Sequence, residues 1–85
     1  MAVVRHFPVE AQQTAMCIAY YENRSYNPFE VSPTGDYGVM GINAYWQRER
    51  LAKMGLTPAD LFIVDTNVRV AADIWQEQSF NPWAT

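Results

Sequence analysis

The spacing of apolar positions along the chain predicts helices in most segments. Ala11, Ala15 and Ile18 fall on one narrow face when residues 9–23 are projected at about 100° per residue. Pro8 suits the first turn of a helix, so a helix is predicted over residues 9–23. A last helix is predicted from residue 65 or 66 to residue 78, and Asn81-Pro82 is expected to end regular structure.

The remaining segments predict shorter elements. A helix is predicted over residues 44–54 with Gly55 as its stop, and Thr57-Pro58 indicates a cap and first-turn proline for a short helix ending at Phe62. Residues 24–36 have loop composition, and residues 37–43 are expected to form a strand or a tight turn. Residues 1–8 are expected to be an N-terminal tail. The sequence therefore predicts one small, mainly α domain with a glycine-rich central segment and little or no sheet.

Composition narrows the class of protein. The chain has 85 residues, enough for one domain, and 49% apolar against 18% charged residues indicates a packed globule. The net charge of −3 weighs against nucleic acid as the main partner, and no apolar run is long enough for a membrane span. The single cysteine, Cys17, is predicted to be a small buried residue. With one cysteine and one histidine (His6), no metal site is expected.

In the C-terminal half, charged side chains are expected to face solvent and aromatic side chains to pack in the core. The residues predicted to face solvent on two helices are Arg48, Arg50, Lys53, Asp65, Asp73 and Glu77. An alternative for the three cations is attraction to the carboxylates of a substrate. Trp75, Phe80 and Trp83 are expected to pack in the core or at its edge.

One carboxylate lies where the helical pattern would place an apolar side chain. Glu22 continues the apolar face of the 9–23 helix, in the last turn, where the helix dipole disfavours negative charge. Burial and the negative helix end both raise a carboxyl pKa, and an acid that stays protonated near neutral pH can act as a general acid. The alternative is a Glu22 side chain that turns to solvent or pairs with Arg24 or Arg5.

The central segment carries a motif. Residues 36–43 read DYGVMGIN and resemble the central motif of lysozyme-like enzymes, which usually read Asp-Tyr-Gly, two apolar residues, Gln, Ile and Asn. Residues 19–28 (AYYENRSYNP) are similar to the catalytic stretch of that family. DLF at 60–62 with Asn67, and SFNPW at 79–83, resemble its later segments. The resemblance covers roughly residues 9–83, and the most similar branch is that of soluble lytic transglycosylases and phage virion lysozymes.

The resemblance implies a lysozyme-like fold of helices around a cleft and the β-1,4 glycan of peptidoglycan as substrate. Glu22 would be the general acid/base at the MurNAc–GlcNAc bond, and Asp36 is the motif-borne candidate for a second catalytic carboxylate. Two other interpretations of Asp36 are a turn residue that bonds the backbone and a structural acid that positions the cleft. Hydrolysis and transglycosylation, which closes a 1,6-anhydro ring, both fit these residues.

The motif also supplies candidate substrate-binding residues. Gly38 would let the backbone run close to the glycan, and Tyr37 and Trp46 could stack on sugar faces or pack in the core. Met40 is a cleft candidate for which core packing is the competing role. Asn43 could support the cleft by hydrogen bonds or cap the following helix.

The alternative to an enzyme is a non-catalytic lysozyme-like module with a structural or glycan-binding role in a larger assembly. Gly41 stands where the family has Gln, and the chain ends before a tyrosine-bearing segment of many transglycosylases. The expected partners are peptidoglycan glycan strands and other virion or assembly proteins, with no cofactor. Because the first residues lack a signal-peptide pattern, the expected location is a phage virion, or else the bacterial envelope or extracellular space.

Overall fold

The computed structural model describes residues 2–23 and 27–83. Its elements are, in order, helix α1 (Ala2–His6), helix α2 (Val9–Glu22), strands β1 (Asp36–Tyr37) and β2 (Ile42–Asn43), helix α3 (Arg48–Lys53), a 3₁₀ helix (Pro58–Phe62), helix α4 (Val64–Gln78) and a second 3₁₀ helix (Asn81–Trp83). The fold is mainly α with one small antiparallel hairpin, as predicted. None of the helices in the described part of the chain combines the length and the apolar character needed to cross a membrane.

The N-terminal segment forms a helix, where a tail was predicted. Val3 and Phe7 are both buried, and α1 packs against α2 and α4. The two side chains are four residues apart, so they lie on the same side of the chain and enter the core together. Five helical residues are too few to show a clear apolar period, which is why the sequence pattern missed this element.

Helix α2 agrees with its prediction except at Cys17. Ala11 and Ala15 are buried, and Ile18 packs partly buried against the core. Cys17 was predicted to be buried, but it is exposed. It follows Ala15 by two residues, a rotation of about 200° that places it on the outer face of the helix.

Helix α3 begins four residues later than the predicted start at residue 44. Residues 44–47 form turns, in which the Oδ1 of Asn43 accepts a hydrogen bond from the backbone N–H of Trp46 at 2.9 Å. The helix ends just before Gly55, which adopts the predicted stop conformation with φ +72°. At the C-terminus, the segment around Pro82 was expected to be irregular but forms a 3₁₀ helix.

The Thr57-Pro58 signal is confirmed. The backbone N–H of Thr57 donates to Oδ2 of Asp60 at 2.7 Å, and the N–H of Asp60 donates to the carbonyl of Thr57 at 3.0 Å. This capping arrangement starts the 3₁₀ helix and satisfies donors that a helix start leaves unpaired.

The core lies between α1, α4 and the hairpin loop. Phe7, which follows α1, contacts the rings of Trp75 and Phe80, and Phe80 also contacts Trp83, with ring centroids 5.9–6.0 Å apart. This confirms the packing role predicted for the C-terminal aromatic residues. The buried apolar residues are Val3, Phe7, Ala11, Ala15, Val39, Met40, Ile42, Leu51, Leu61, Val68, Val70, Ala71, Ala72 and Ile74.

Four of the charged residues predicted to face solvent form ion pairs. Arg50 is only 13% exposed at its side chain, and its guanidinium bonds to the carboxylates of Asp73 and Glu77 on α4. Asp65 accepts from Arg5 and His6 of α1. The acidic side chains of α4 therefore join this helix to α1 and α3 by ion pairs.

Candidate active site

The site is organised by the β1–β2 hairpin. Asp36 pairs with Asn43 and Tyr37 with Ile42, which leaves residues 38–41 as a four-residue loop. Both ends of this loop are glycines in the left-handed region, Gly38 at φ +71° and Gly41 at φ +61°. Other residues adopt that region only with strain, so the two glycines allow the chain to reverse within four residues.

A buried asparagine fixes the hairpin to the helices. The Oδ1 of Asn67 accepts from the N–H of Met40 at 3.0 Å. Its Nδ2 donates to the carbonyls of Tyr37 at 2.9 Å and Leu61 at 3.0 Å. Asn67 has no exposed surface, and an unpaired amide there would be costly. The side chain therefore holds the loop against α4 and the first 3₁₀ helix.

Gly38 is required by this internal packing. A Cβ at Gly38 would lie 2.4 Å from Nδ2 of Asn67 and 2.6 Å from the carbonyl oxygen of Leu61. The predicted close approach of backbone to a substrate is wrong for Gly38, because the residue is buried against these two groups.

Glu22 lies with its carboxylate against the hairpin loop. A Cβ at Gly41 would be 2.7 Å from Oε2 of Glu22 and 3.3 Å from its Cβ. Glu22 is exposed overall, and within residues 2–23 and 27–83 its carboxylate has no hydrogen bond or ion pair. The predicted alternative of a pair with Arg5 is wrong, since Arg5 bonds to Asp65, and Arg24 lies outside the described residues.

The surroundings of Glu22 favour its protonated form. Partial burial is the larger cause that raises the pKa of Glu22, and the negative charge of Asp36 raises it further. The sequence predicted this direction, with burial as one of its two causes. Glu22 therefore holds its proton to a higher pH than an ordinary glutamate.

Asp36 is a carboxylate fixed by side-chain donors. Its Oδ2 accepts from the hydroxyls of Thr34 at 2.7 Å and Ser32 at 3.1 Å, and its Oδ1 accepts from Nδ2 of Asn43 at 3.1 Å. The carboxylate thus bonds neighbouring side chains, which does not match the interpretation of a turn residue bonding the backbone. These three bonds hold a negative charge in one position near Glu22.

A groove of about 510 Å³ is lined by Asp36 and by Gly41, the glycine against which the Glu22 carboxylate lies. Its lining comes from the hairpin, the turn after it, and the end of α4 with the second 3₁₀ helix. Glu22 is not itself a lining residue, but its carboxylate lies against Gly41, which is. The lining residues are Asp36, Gly41, Ile42, Asn43, Trp46, Gln47, Ile74, Gln78, Asn81, Pro82 and Trp83.

Two of the substrate-binding candidates line the groove. Trp46 is 74% exposed and lies edge-on to Tyr45, with ring centroids 5.3 Å apart. Nδ2 of Asn43 donates to Asp36, and its Oδ1 accepts from the backbone N–H of Trp46. Asn43 therefore supports the groove by hydrogen bonds, and it caps a turn rather than the helix α3 that it was predicted to cap.

The other two side-chain candidates do not line it. Met40 has no exposed surface, and its side chain is a core residue, so its place in the predicted cleft is wrong. Tyr37 is half-buried and stacks on Phe62 at 5.4 Å, with its ring packed against the core.

Sequence reasoning missed the roles of Asn67 and Trp83. Nε1 of Trp83 donates to the carbonyl of Met40 at 2.7 Å, which joins the chain end to the hairpin loop. Asn67 lies on the same helical face as Ala71 and Ile74, both buried. A polar residue on an apolar face is the signal that identified Glu22, and it would also have identified Asn67.

Comparison of the chain with protein-family models, with curated proteins and with solved structures finds no match. Within the described residues, no group of three or more histidine, cysteine, aspartate or glutamate side chains is placed to hold a metal ion.

Proposed function

We propose that the protein cleaves the β-1,4 bond between MurNAc and GlcNAc in peptidoglycan, with Glu22 as general acid/base. The observation that carries the proposal is the position of Glu22. Its carboxylate has no described partner, has a raised pKa and contacts a glycine that lines an open groove. A carboxylic acid that keeps its proton and remains accessible suits protonation of a leaving oxygen.

Asp36 acts in this proposal as a fixed electrostatic partner. Cleavage of a glycosidic bond develops positive charge on the sugar ring, and a nearby carboxylate stabilises that charge. The three hydrogen bonds to Asp36 hold its charge in place, and they reduce its capacity to attack carbon. The same charge raises the pKa of Glu22, so Asp36 supports the proton donor as well.

The groove supplies the surface for a glycan strand. Trp46 and Trp83 both line it, Trp46 with an exposed ring and Trp83 with its indole N–H donated to the carbonyl of Met40. Flat apolar rings beside hydrogen-bonding groups suit the faces and hydroxyls of sugars. Partners that fit this function are peptidoglycan strands and, in a phage particle or cell envelope, the proteins that carry the domain.

Gly41 fits this arrangement through its missing side chain. The resemblance suggested that Gly41 in place of Gln removes a substrate contact. A side chain at residue 41 would meet the Glu22 carboxylate at 2.7 Å, so in this chain Gly41 makes room for the acid.

Replacement of Glu22 tests the proposal. We expect Glu22→Gln, which keeps shape and removes the acid, to abolish clearing of a cell-wall gel. Glu10→Gln is the matched control, because Glu10 lies on the same helix in its first turn, and it should clear at the parent rate. Equal clearing by Glu22→Gln and the parent would contradict the proposal.

A second function is favoured by one observation, the exposed pair of Tyr45 and Trp46. This pair can bind a glycan without any acid, as a non-catalytic module would. That function predicts sedimentation of the protein with insoluble peptidoglycan that Trp46→Ala abolishes and Glu22→Gln leaves unchanged, with no soluble fragments released by the parent.

A further inference from the structure

A second cavity lies where α1, α3 and α4 meet. It has a volume of about 540 Å³, and the groove beside Glu22 shares none of its lining. His6 of α1, Lys53 of α3 and Arg69 of α4 bring three basic side chains to this one cavity, together with Met54, Asp73 and Gln76. Such a convergence is notable in a chain with a net charge of −3.

The carboxylate in the cavity wall is already paired with a cation. Asp73 bonds to the guanidinium of Arg50, a side chain that is only 13% exposed and that also bonds to Glu77. On α1, the neighbouring Arg5 is engaged with Asp65, and Nε2 of His6 lies 3.0 Å from the same carboxylate. The protein's own acids near the cavity are therefore occupied by other residues.

Lys53 and Arg69 differ from these cations. Within residues 2–23 and 27–83, neither forms an ion pair or a hydrogen bond through its side chain. Arg48, the remaining described arginine, lies over the Tyr45 ring at 4.3 Å and donates to the Tyr45 carbonyl. The two cations without a protein partner thus line the same cavity.

We propose that this cavity binds a small oxyanion, a phosphate or carboxylate group, between Lys53 and Arg69. The guanidinium of Arg69 offers paired donors, and the ammonium of Lys53 offers a point charge, the combination that oxyanion groups favour. Gln76 adds a neutral donor in the wall. The site does not depend on glycan cleavage, because it shares no lining residue with the groove.

The test is a titration of the full chain at low salt, followed by NMR, with inorganic phosphate in one arm and acetate in the other. We expect saturable shifts at the amides of residues 53, 69 and 76 in at least one arm. A preference for phosphate identifies phosphate-bearing ligands, and a preference for acetate identifies carboxylates. Shifts that rise without saturation in both arms would overturn the proposal.

Variants that each remove one positive charge distinguish a specific oxyanion site from general electrostatic attraction to the protein surface. Lys53→Gln and Arg69→Gln should each weaken binding by up to about fivefold, since each removes a charge-assisted contact at a solvent-exposed site. Arg48→Gln is the control, because it removes one positive charge outside the cavity, and it should bind as the parent does. An equal loss in Arg48→Gln would overturn the proposal.

Glu22→Gln keeps this test distinct from the test of glycan cleavage. This variant should bind the oxyanion as the parent does, whatever its effect on clearing of the cell-wall gel. Loss of oxyanion binding in Glu22→Gln would count against a separate site.

Discussion

At the scale of single residues, the proposed activity depends on three positions that meet at the hairpin. Glu22 supplies the acid, Asp36 supplies a fixed charge, and Gly41 supplies the space in which the acid lies. The sequence indicated Glu22 and Asp36, because a carboxylate on an apolar face and an acid in a motif are both visible in a pattern. The contact between Glu22 and Gly41 was not predictable, because it joins two elements far apart in the chain.

Asp36→Asn should move the pH dependence of activity. The folded protein raises the pKa of Glu22 partly through the charge of Asp36, and the acid form is lost as pH rises through that raised value. Without the charge, Glu22 should lose its proton at a lower pH. We therefore expect the alkaline limb of a clearing-rate profile to shift to lower pH. An unshifted or upward-shifted limb would contradict this role for Asp36.

Gly41→Ala should displace the acid. The new Cβ would lie 2.7 Å from Oε2 of Glu22, so the carboxylate must move, and we expect at least about a tenfold loss of clearing rate. Gly35→Ala is the matched control, because Gly35 also has a positive φ of +85° but has nothing within 4 Å of its Cβ position. Both variants bear similar backbone strain, about 1 kcal/mol, so only the activity should separate them.

At the scale of elements, the site depends on how the hairpin is held. The sequence predicted α2, the capped 3₁₀ helix and α4 well, because apolar spacing and Thr57-Pro58 are local signals. The sequence did not decide between a strand and a turn for residues 37–43, because the hairpin there is held by hydrogen bonds from Asn67 of α4. Helix α1 was missed because its stability comes from packing on α4 rather than from its own short pattern.

Asn67→Ala should release the hairpin loop. It leaves the N–H of Met40 and two carbonyls without their buried partner, which we expect to lower the free energy of unfolding by about 2–4 kcal/mol. Urea unfolding measures this loss. Gln76→Ala, an exposed position on the same helix, should change stability by less than about 0.5 kcal/mol. Similar losses in both variants would refute the role of Asn67.

At the scale of the whole molecule, the two ends of the described chain meet on α4. Phe7, just after α1, and Phe80, just after α4, stack 5.9 Å apart, and Trp83 then reaches the hairpin loop through its indole N–H. A small domain has a limited core, so these aromatic contacts form a large share of it. The aromatic content could be read from the sequence, whereas the joining of the two ends required the structure.

Phe7→Ala should destabilise the whole fold. Phe7 is 3% exposed, and its removal would leave a cavity beside Trp75 and Phe80, which costs about 3–5 kcal/mol in comparable cores. Thermal unfolding followed by circular dichroism measures the change. Val4→Ala, at an exposed position of α1 just before Phe7, is the control and should leave the midpoint nearly unchanged. An unchanged midpoint in Phe7→Ala would mean that α1 is not part of the core.

The central claim is that Glu22 donates a proton to a peptidoglycan glycan. The most direct measurement is mass spectrometry of the soluble fragments released from purified peptidoglycan by the parent and by Glu22→Gln. We expect muropeptides cut at the MurNAc–GlcNAc bond from the parent, with anhydro ends for a transglycosylase or reducing ends for a hydrolase, and none from a folded Glu22→Gln protein. No fragments from the parent, or equal release by the variant, would contradict it.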